Sequence, residues 1–452
     1  MNILHVSLGV PPFRTGGLTK YSVDLMLMQL EKQHKVSLLY PGSYHLGGLG
    51  ISRKRDFQGI NVYEIINPLL VPLLGGIKEP ESFRKSVNIQ VYLKFLSDIR
   101  PETIHFHTLQ GIHKEFLQAA KKLGIRIIYT THDYFGICPK VNLMDHLGNI
   151  CNNYDAGEKC INCNANGYST LKILAMQSEL YRFVKDTSIM RKIRQREKSK
   201  NDHIIYEKES AVLTELNETH ANKYVDLRNY YLEMFSLIDI FHFNSSTAKS
   251  EFEKYLNIQG KVIPITHNDI HDSRVSRQYD NNKPLQIAYL GPVDRYKGFY
   301  FLQNSLNELK GGNWHLHIYG DSAKADVDSD SNHYTFHGRY QHADLSSIFK
   351  KIDILIVPSI WKETFGFIGL EALSHGVPIM ISEHVGLQDI ITHGETGIIF
   401  KADEKELSEQ ISAIIENREI LSKMNKNILN HDFVFSMQQH TNQMIDFYTT
   451  GV

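Results

Sequence analysis

Two carboxylates separated by seven residues stand in the segment Glu363-Thr364-Phe365-Gly366-Phe367-Ile368-Gly369-Leu370-Glu371. The segment follows an apolar run, Asp353-Ile354-Leu355-Ile356-Val357-Pro358-Ser359, that reads as a buried parallel strand. It leads into Ala372-Leu373-Ser374-His375, which continues a helix. Glu363 is therefore predicted in a loop at a strand's carboxyl end, and Glu371 about a turn inside the next helix. Ligands of open α/β sheets bind at that edge. Gly366 and Gly369 near the helix start leave backbone N–H groups accessible to an anion or a sugar hydroxyl. The chemistry to expect is recognition of a phosphorylated ligand with many hydroxyls.

A second candidate is Gly291-Pro292-Val293-Asp294-Arg295-Tyr296-Lys297-Gly298, which follows one strand and opens a helix. Arg295 and Lys297 suit a diphosphate leaving group, because fixed positive charge stabilises negative charge as it develops. The alternative is a solvated loop with ordinary surface charge. Gly16-Gly17 opens the first helix after the first strand; on its own it reads equally as a helix N-terminal turn. His105 and His107 lie two apart on one strand and share a face. One is expected to be a core histidine, with His107, nearer the carboxyl end, as the cleft candidate. The Asp326-Val327-Asp328-Ser329-Asp330 run reads as solvated carboxylates in a loop. No catalytic metal is expected.

Cys138, Cys151, Cys160 and Cys163 are the whole cysteine complement and end in a C-x-x-C pair, a common chelate spacing for tetrahedral zinc. A structural zinc in a polar loop is the leading reading. Reduced thiols, a disulfide or an iron–sulfur cluster are the alternatives. Arg182 to Lys200 is strongly basic; it reads as a solvated helix face or as a contact with anionic lipid headgroups.

These residues need elements to position them. Strands are expected at Ile3–Ser7, Val36–Tyr40, Ile104–His107 and Ile125–Thr130, with helices from Gly17 to about Glu31 and from Lys114 to Leu123. The region from about 138 to 231 breaks the rhythm and reads as an insertion or as extra helices on the first domain. Phe235 to Asn244 and Lys261 to Pro264 complete the first set of strands. Polar residues 273–283 form the expected linker. Strands at Gln286–Leu290, Trp314–Tyr319, Thr335–His337, Asp353–Val357, Pro378–Ser382 and Gly397–Phe400 follow. The expected domains are 1–272 and 284–431, with a helix over 432–452 returning to the first domain. The chain of 452 residues exceeds one ordinary core. Its net charge of -1 gives no whole-chain argument for nucleic acid binding, and no nucleic acid partner is expected. No apolar run approaches a membrane span, and the first residues read as a strand rather than a signal peptide. The expected location is cytoplasmic, at most peripheral on the inner membrane face.

Gly291 to Gly298, Glu363 to Glu371, and Gly386-Leu387-Gln388-Asp389-Ile390 through Gly394-Glu395-Thr396-Gly397 together resemble the donor domain of glycosyltransferase family 4. That family is retaining and has the GT-B fold, two doubly wound Rossmann-like α/β domains facing each other across a cleft. The resemblance implies that Glu363 contacts the donor sugar, helped by backbone groups of Phe365, Gly366 and Phe367. Glu371 would bind the nucleotide ribose, and Lys297 the diphosphate. Gly16 and Gly17 would let backbone amides approach the donor phosphates. His132, in Thr131-His132-Asp133, resembles the family's histidine at the cleft, a sugar-binding or acceptor-positioning group. The family carries Arg directly after the strand-ending Gly; here Pro292 stands there, with Arg295 three residues on. Asp389 stands where the family has Glu. The implied activity is transfer from a nucleotide-diphosphate sugar to a saccharide or lipid-linked acceptor, in surface polysaccharide or glycoconjugate assembly. Two rivals stay open: a non-catalytic nucleotide-sugar-binding subunit, and an epimerase or phosphorylase on the same fold.

Overall fold

The computed structural model describes residues 1–72, 75–178, 181, 187, 218–309, 312–321 and 332–451. Apart from position 187, the basic segment 182–200 lies outside the described residues, as does the run Asp326 to Asp330. The chain forms two compact units. The first holds Met1–His242, Phe252–Lys261 and Thr450–Val452; the second holds Phe243–Glu251 and Val262–Thr449.

One sheet has eight strands: β1 (Asn2–Val6), β2 (Lys35–Pro41), β3 (Gly50–Arg53), β4 (Asn61–Ile66), β5 (Thr103–Phe106), β6 (Arg126–Thr130), β7 (Ile240–Phe243) and β8 (Gly260–Val262). Their order is β3-β4-β2-β1-β5-β6-β7-β8. The strands from β4 to β7 in that order pair in parallel, and the edge pair β3–β4 is antiparallel. Every residue of β5 is buried, as expected of a strand covered on both faces. The chain runs from β1 outward to β2, then returns across β1 to β5. That reversal sets the switch point between β1 and β5.

The other sheet has β9 (Leu285–Leu290), β10 (Trp314–Tyr319), β11 (Tyr334–Gly338), β12 (Ile354–Val357), β13 (Ile379–Ser382) and β14 (Ile398–Phe400). The order is β11-β10-β9-β12-β13-β14, with parallel pairing throughout. Its switch point lies between β9 and β12. Ile287, Leu316, Ile354, Ile356 and Met380 form its core with Leu302, Leu306, Leu407 and Ile411 from the flanking helices.

Several elements differ from the sequence reading. Strands β3 and β4 and the helix Gln90–Ile99 were not expected. β3 is short and incompletely buried, so its apolar signal is weak. Phe235 closes the helix Glu218–Phe235 instead of leading a strand, and only Ile240–Phe243 is extended. That helix is pinned back by side chains. Tyr224 donates to the Ile77 carbonyl at 2.9 Å, Tyr231 to that of Phe83 at 3.1 Å, and Arg228 to that of Ile137. In the second unit Arg274 donates to the carbonyls of Ile428 and His431, at 2.5 and 2.7 Å, so the polar stretch 273–283 is tied to the helix Glu419–Asn430.

Candidate functional site

The carboxyl ends of β9 and β12 bring the two candidate loops together. Lys297 Nζ lies 2.8 Å from Glu363 Oε1, and Ser359 Oγ donates to Glu363 Oε2 at 2.7 Å. The ammonium also stands 5.0 Å from the Trp361 ring centroid. Both charged side chains keep some exposure, 24% for Lys297 and 16% for Glu363. The backbone of Glu363 is fixed as well: its N–H donates to His384 at 2.9 Å, and its carbonyl accepts from Gly386 N at 2.9 Å. A cation and a carboxylate in one half-buried nook at the switch point can each exchange the other for a ligand's phosphate and hydroxyls. Arg295 is exposed, two residues before Lys297.

Gly366, at φ 102, caps the short helix Phe367–Leu373. The Phe365 carbonyl accepts from Leu387 N at 2.7 Å, and the Phe365 ring packs edge-on to Phe367. Glu371 is 9% exposed and lies between two imidazoles. His267 Nε2 is 3.1 Å and His342 Nε2 3.2 Å from Glu371 Oε1. Burial raises the Glu371 carboxyl, but the hydrogen bonds from His267 and His342 outweigh it and hold the acid below its usual range. Sequence reasoning missed both histidines. His267 follows β8 and His342 follows β11, and no spacing links either to Glu371. Farther along, Asp389 accepts from the Ser246 N–H at 2.5 Å and from the Ser246 hydroxyl. Ser245 Oγ donates to the Thr364 carbonyl at 2.6 Å. Asp389 therefore braces the unit, a structural task available to Asp in place of Glu.

In the first unit Gly16, at φ 108, caps the helix Gly17–Glu31, and a side chain there would meet nothing within 4 Å. His105 and His107 are both fully buried. His105 Nε2 is 2.6 Å from Thr130 Oγ1, whose hydroxyl is 2.8 Å from His242 Nδ1. His107 Nδ1 is 3.3 Å from His132 Nε2. His132 therefore stands at the carboxyl end of β6 with His107 directly behind it. Burial, then the neighbouring His242, pushes the His132 imidazole down to about 3. Burial raises Asp133 to about 6, against hydrogen bonds from Phe135 N and Gln110.

Among the described residues, two sets of three bring ligand atoms within 4.8 Å of one another: His5, His105 and His107, and His267, His342 and Glu371. The four cysteines are not among them, and none forms a disulfide. They nonetheless share one neighbourhood. Burial first, then the other thiols and nearby Lys and Arg side chains, perturbs Cys151, Cys160 and Cys163, and the last two are raised to about 12. Cys160 and Cys163 are three apart on the helix Glu158–Asn164, hence on one face. Thiolates are a donor type that zinc takes, but no three of these four sulfurs lie within 4.8 Å of one another.

Residues 273–431 match the family described as Glycosyl transferases group 1. The capsular polysaccharide biosynthesis glycosyltransferase CapM of Staphylococcus aureus is 26% identical over 200 residues, 42% of this chain and 49% of that protein. An uncharacterized protein from the cps region of Klebsiella pneumoniae is 26% identical over 121 residues, 26% of this chain and 34% of its own length. The chain thus spans about a third to a half of these curated relatives. Solved structures match over the full length. Anabaena HepE in complex with UDP has a TM-score of 0.60 at 12% identity, covering 100% of both chains. The sucrose-phosphate synthase of Thermosynechococcus elongatus has a TM-score of 0.56 at 14% identity, covering 99% of this chain and 98% of its own. The fold is the GT-B fold with two Rossmann-like units, and the match to the group 1 glycosyltransferase family is confined to residues 273–431.

Proposed function

We propose that this protein is a retaining glycosyltransferase that moves a sugar from a nucleotide-diphosphate donor to a saccharide or lipid-linked acceptor in surface polysaccharide assembly. The observation that carries the reading is the Lys297–Glu363 pair, 2.8 Å apart at the switch point of the second sheet, with Glu371 farther along the same loop and helix. On donor binding Lys297 turns from Glu363 to the diphosphate, and Glu363 takes a sugar hydroxyl. Glu371 takes the ribose hydroxyls while His267 holds its carboxylate ionised. Likeness to CapM supports the pathway, and the complex of HepE with UDP-glucose supports the donor class.

Thermal-shift measurements against UDP-, GDP-, ADP- and CDP-sugars find the donor, because a ligand selective for the native state raises its melting temperature. Release of the nucleoside diphosphate is then measured in Glu363→Ala and Lys297→Ala. Each should lose about a hundredfold or more in turnover; full turnover in both refutes the assignment. Pro292 at the family's Arg position favours a second reading, a non-catalytic donor-binding subunit. That reading predicts donor binding without release for any acceptor.

The four cysteines are assigned to a structural zinc, which would tie the 138–163 loop together and leave the chemistry to the residues above. The basic segment 182–200 is assigned to anionic lipid. Neutralising four of its charges should weaken binding to anionic vesicles, and unchanged binding discards that role.

A further inference from the structure

Behind His132 runs a line of buried side chains that the proposed transfer does not use. Gln29 Oε1 is 2.7 Å from His5 Nε2, and His5 Nδ1 is 3.0 Å from His107 Nε2. His107 Nδ1 in turn is 3.3 Å from His132 Nε2. Gln29, His5 and His107 are each 0% exposed. The rings are ordered as well as bonded. His5 and His107 stack at 12° between planes, His107 and His132 at 29°, and Tyr21 packs against both His107 and His132.

These contacts have one consistent polarity. The Gln29 carbonyl oxygen can only accept, so His5 Nε2 carries a proton. A neutral imidazole has one N–H, which leaves His5 Nδ1 as a lone pair. His107 Nε2 must then donate to it, leaving His107 Nδ1 as a lone pair. His132 Nε2 donates to that atom, and His132 Nδ1 is left as an acceptor. These donor and acceptor roles require neutral rings, and burial supplies that condition. It holds His5 at about 4 and places His107 well below its usual value.

We propose that Gln29, His5 and His107 are positioning residues that fix the tautomer of His132, so that its Nδ1 accepts a hydrogen bond from a sugar hydroxyl at the carboxyl edge of β6. The hydroxyl assignment rests on the transfer reading above; the tautomer chain does not. Gln29 lies on the first helix, and His5, His107 and His132 lie on or just after three strands. The sheet thus carries a choice made at an amide in the helix to a ring at the sheet edge. Turning the Gln29 amide so that its NH2 group faced His5 would reverse every proton in the line and make His132 Nδ1 a donor.

The test is a long-range ¹H–¹⁵N spectrum of the full chain with labelled histidine at neutral pH, with His132 assigned from the signal missing in His132→Asn. The expected result is one tautomer at His132, protonated on Nε2, and the same at His5 and His107. Gln29→Leu removes the acceptor and should leave His132 as a mixture of tautomers. Its kcat for UDP release from UDP-glucose should fall about tenfold, the worth of one hydrogen bond, with KM little changed. Gln29→Glu, which as a carboxylate can only accept, should restore the single tautomer. An Nδ1–H tautomer or a mixture in the native chain overturns the proposal, and so does an unchanged His132 spectrum in Gln29→Leu. If Gln29→Leu does not fold, the native spectrum decides. The spectrum reads the chain whether or not UDP-glucose is turned over, so failure of the transfer reading is told apart from failure of this one.

Discussion

Two glycines with nearly the same backbone angle separate conformational strain from steric crowding beside the candidate donor site. Gly298 has φ 77 and Gly338 has φ 75. A side chain in this left-handed region costs about 1–2 kcal/mol, partly offset by about 0.4–1 kcal/mol from a stiffer unfolded chain. Gly338→Ala should cost only that difference, because a Cβ there would meet nothing within 4 Å. At Gly298 the Cβ would stand 1.7 Å from the Pro358 carbonyl oxygen, which is backbone and cannot turn aside. Relieving that overlap moves the end of β12 and adds about 1–3 kcal/mol, the usual cost of overpacking. For a unit of this size each kcal/mol is worth about 2–4 °C. Gly338→Ala should therefore lower the melting temperature by at most about 6 °C, and Gly298→Ala by about 2–12 °C more than that. Circular dichroism melts of the two variants read this directly. Ser359 and Glu363 follow Pro358, so Gly298→Ala should also lose the stabilisation by donor sugar that Gly338→Ala keeps. Equal melting temperatures for the two variants, within about 1 °C, would refute the close approach of the Gly298 loop to β12.

Other outcomes follow from the same geometry. The folded-state value of His5 is held at about 4 against 6.5 unfolded, so its contribution is present above pH 6.5 and is lost as pH falls toward 4. The His5 share of the stability lost between pH 7 and pH 4.5 is about 2–3 kcal/mol, so the difference measured by urea unfolding should shrink by about that much in His5→Phe; an unchanged difference in the variant contradicts the buried neutral ring. Lys362 forms an ion pair with Glu251, whose side chain is 2% exposed. Lys362→Met should cost about 3 kcal/mol by leaving that carboxylate buried without the ammonium, and Lys362→Met with Glu251→Leu should recover most of it. Untagged protein should hold about one zinc per chain, and chelation should lower the melting temperature while the affinity for donor sugar persists; less than about half an equivalent of metal ends the zinc assignment.

Much of the second sheet was legible because its strands are short apolar runs bounded by glycine, proline or polar residues. Ile354–Val357 needs no context to read as a buried strand. The first sheet's edge was not legible. β3 has one partner strand, and its residues are partly exposed, so no apolar run marks it. The types of the candidate site residues were also readable. Lys297 and Glu363 declared themselves by following strands in glycine-bearing loops. The partners of Glu371 did not, because His267 and His342 lie 104 and 29 positions from it in the sequence and no local pattern addresses it.

The sequence alone determined that strands and helices alternate twice, and it placed cations, carboxylates and glycines after strands, because hydrophobic period and turn chemistry are local properties. Which of those groups meet was decided by the tertiary structure. A parallel sheet sets loops from distant parts of the chain side by side at one edge, in an order fixed by strand pairing. That order puts Lys297 against Glu363 across 66 residues and lines up Gln29, His5, His107 and His132 behind one edge of β6.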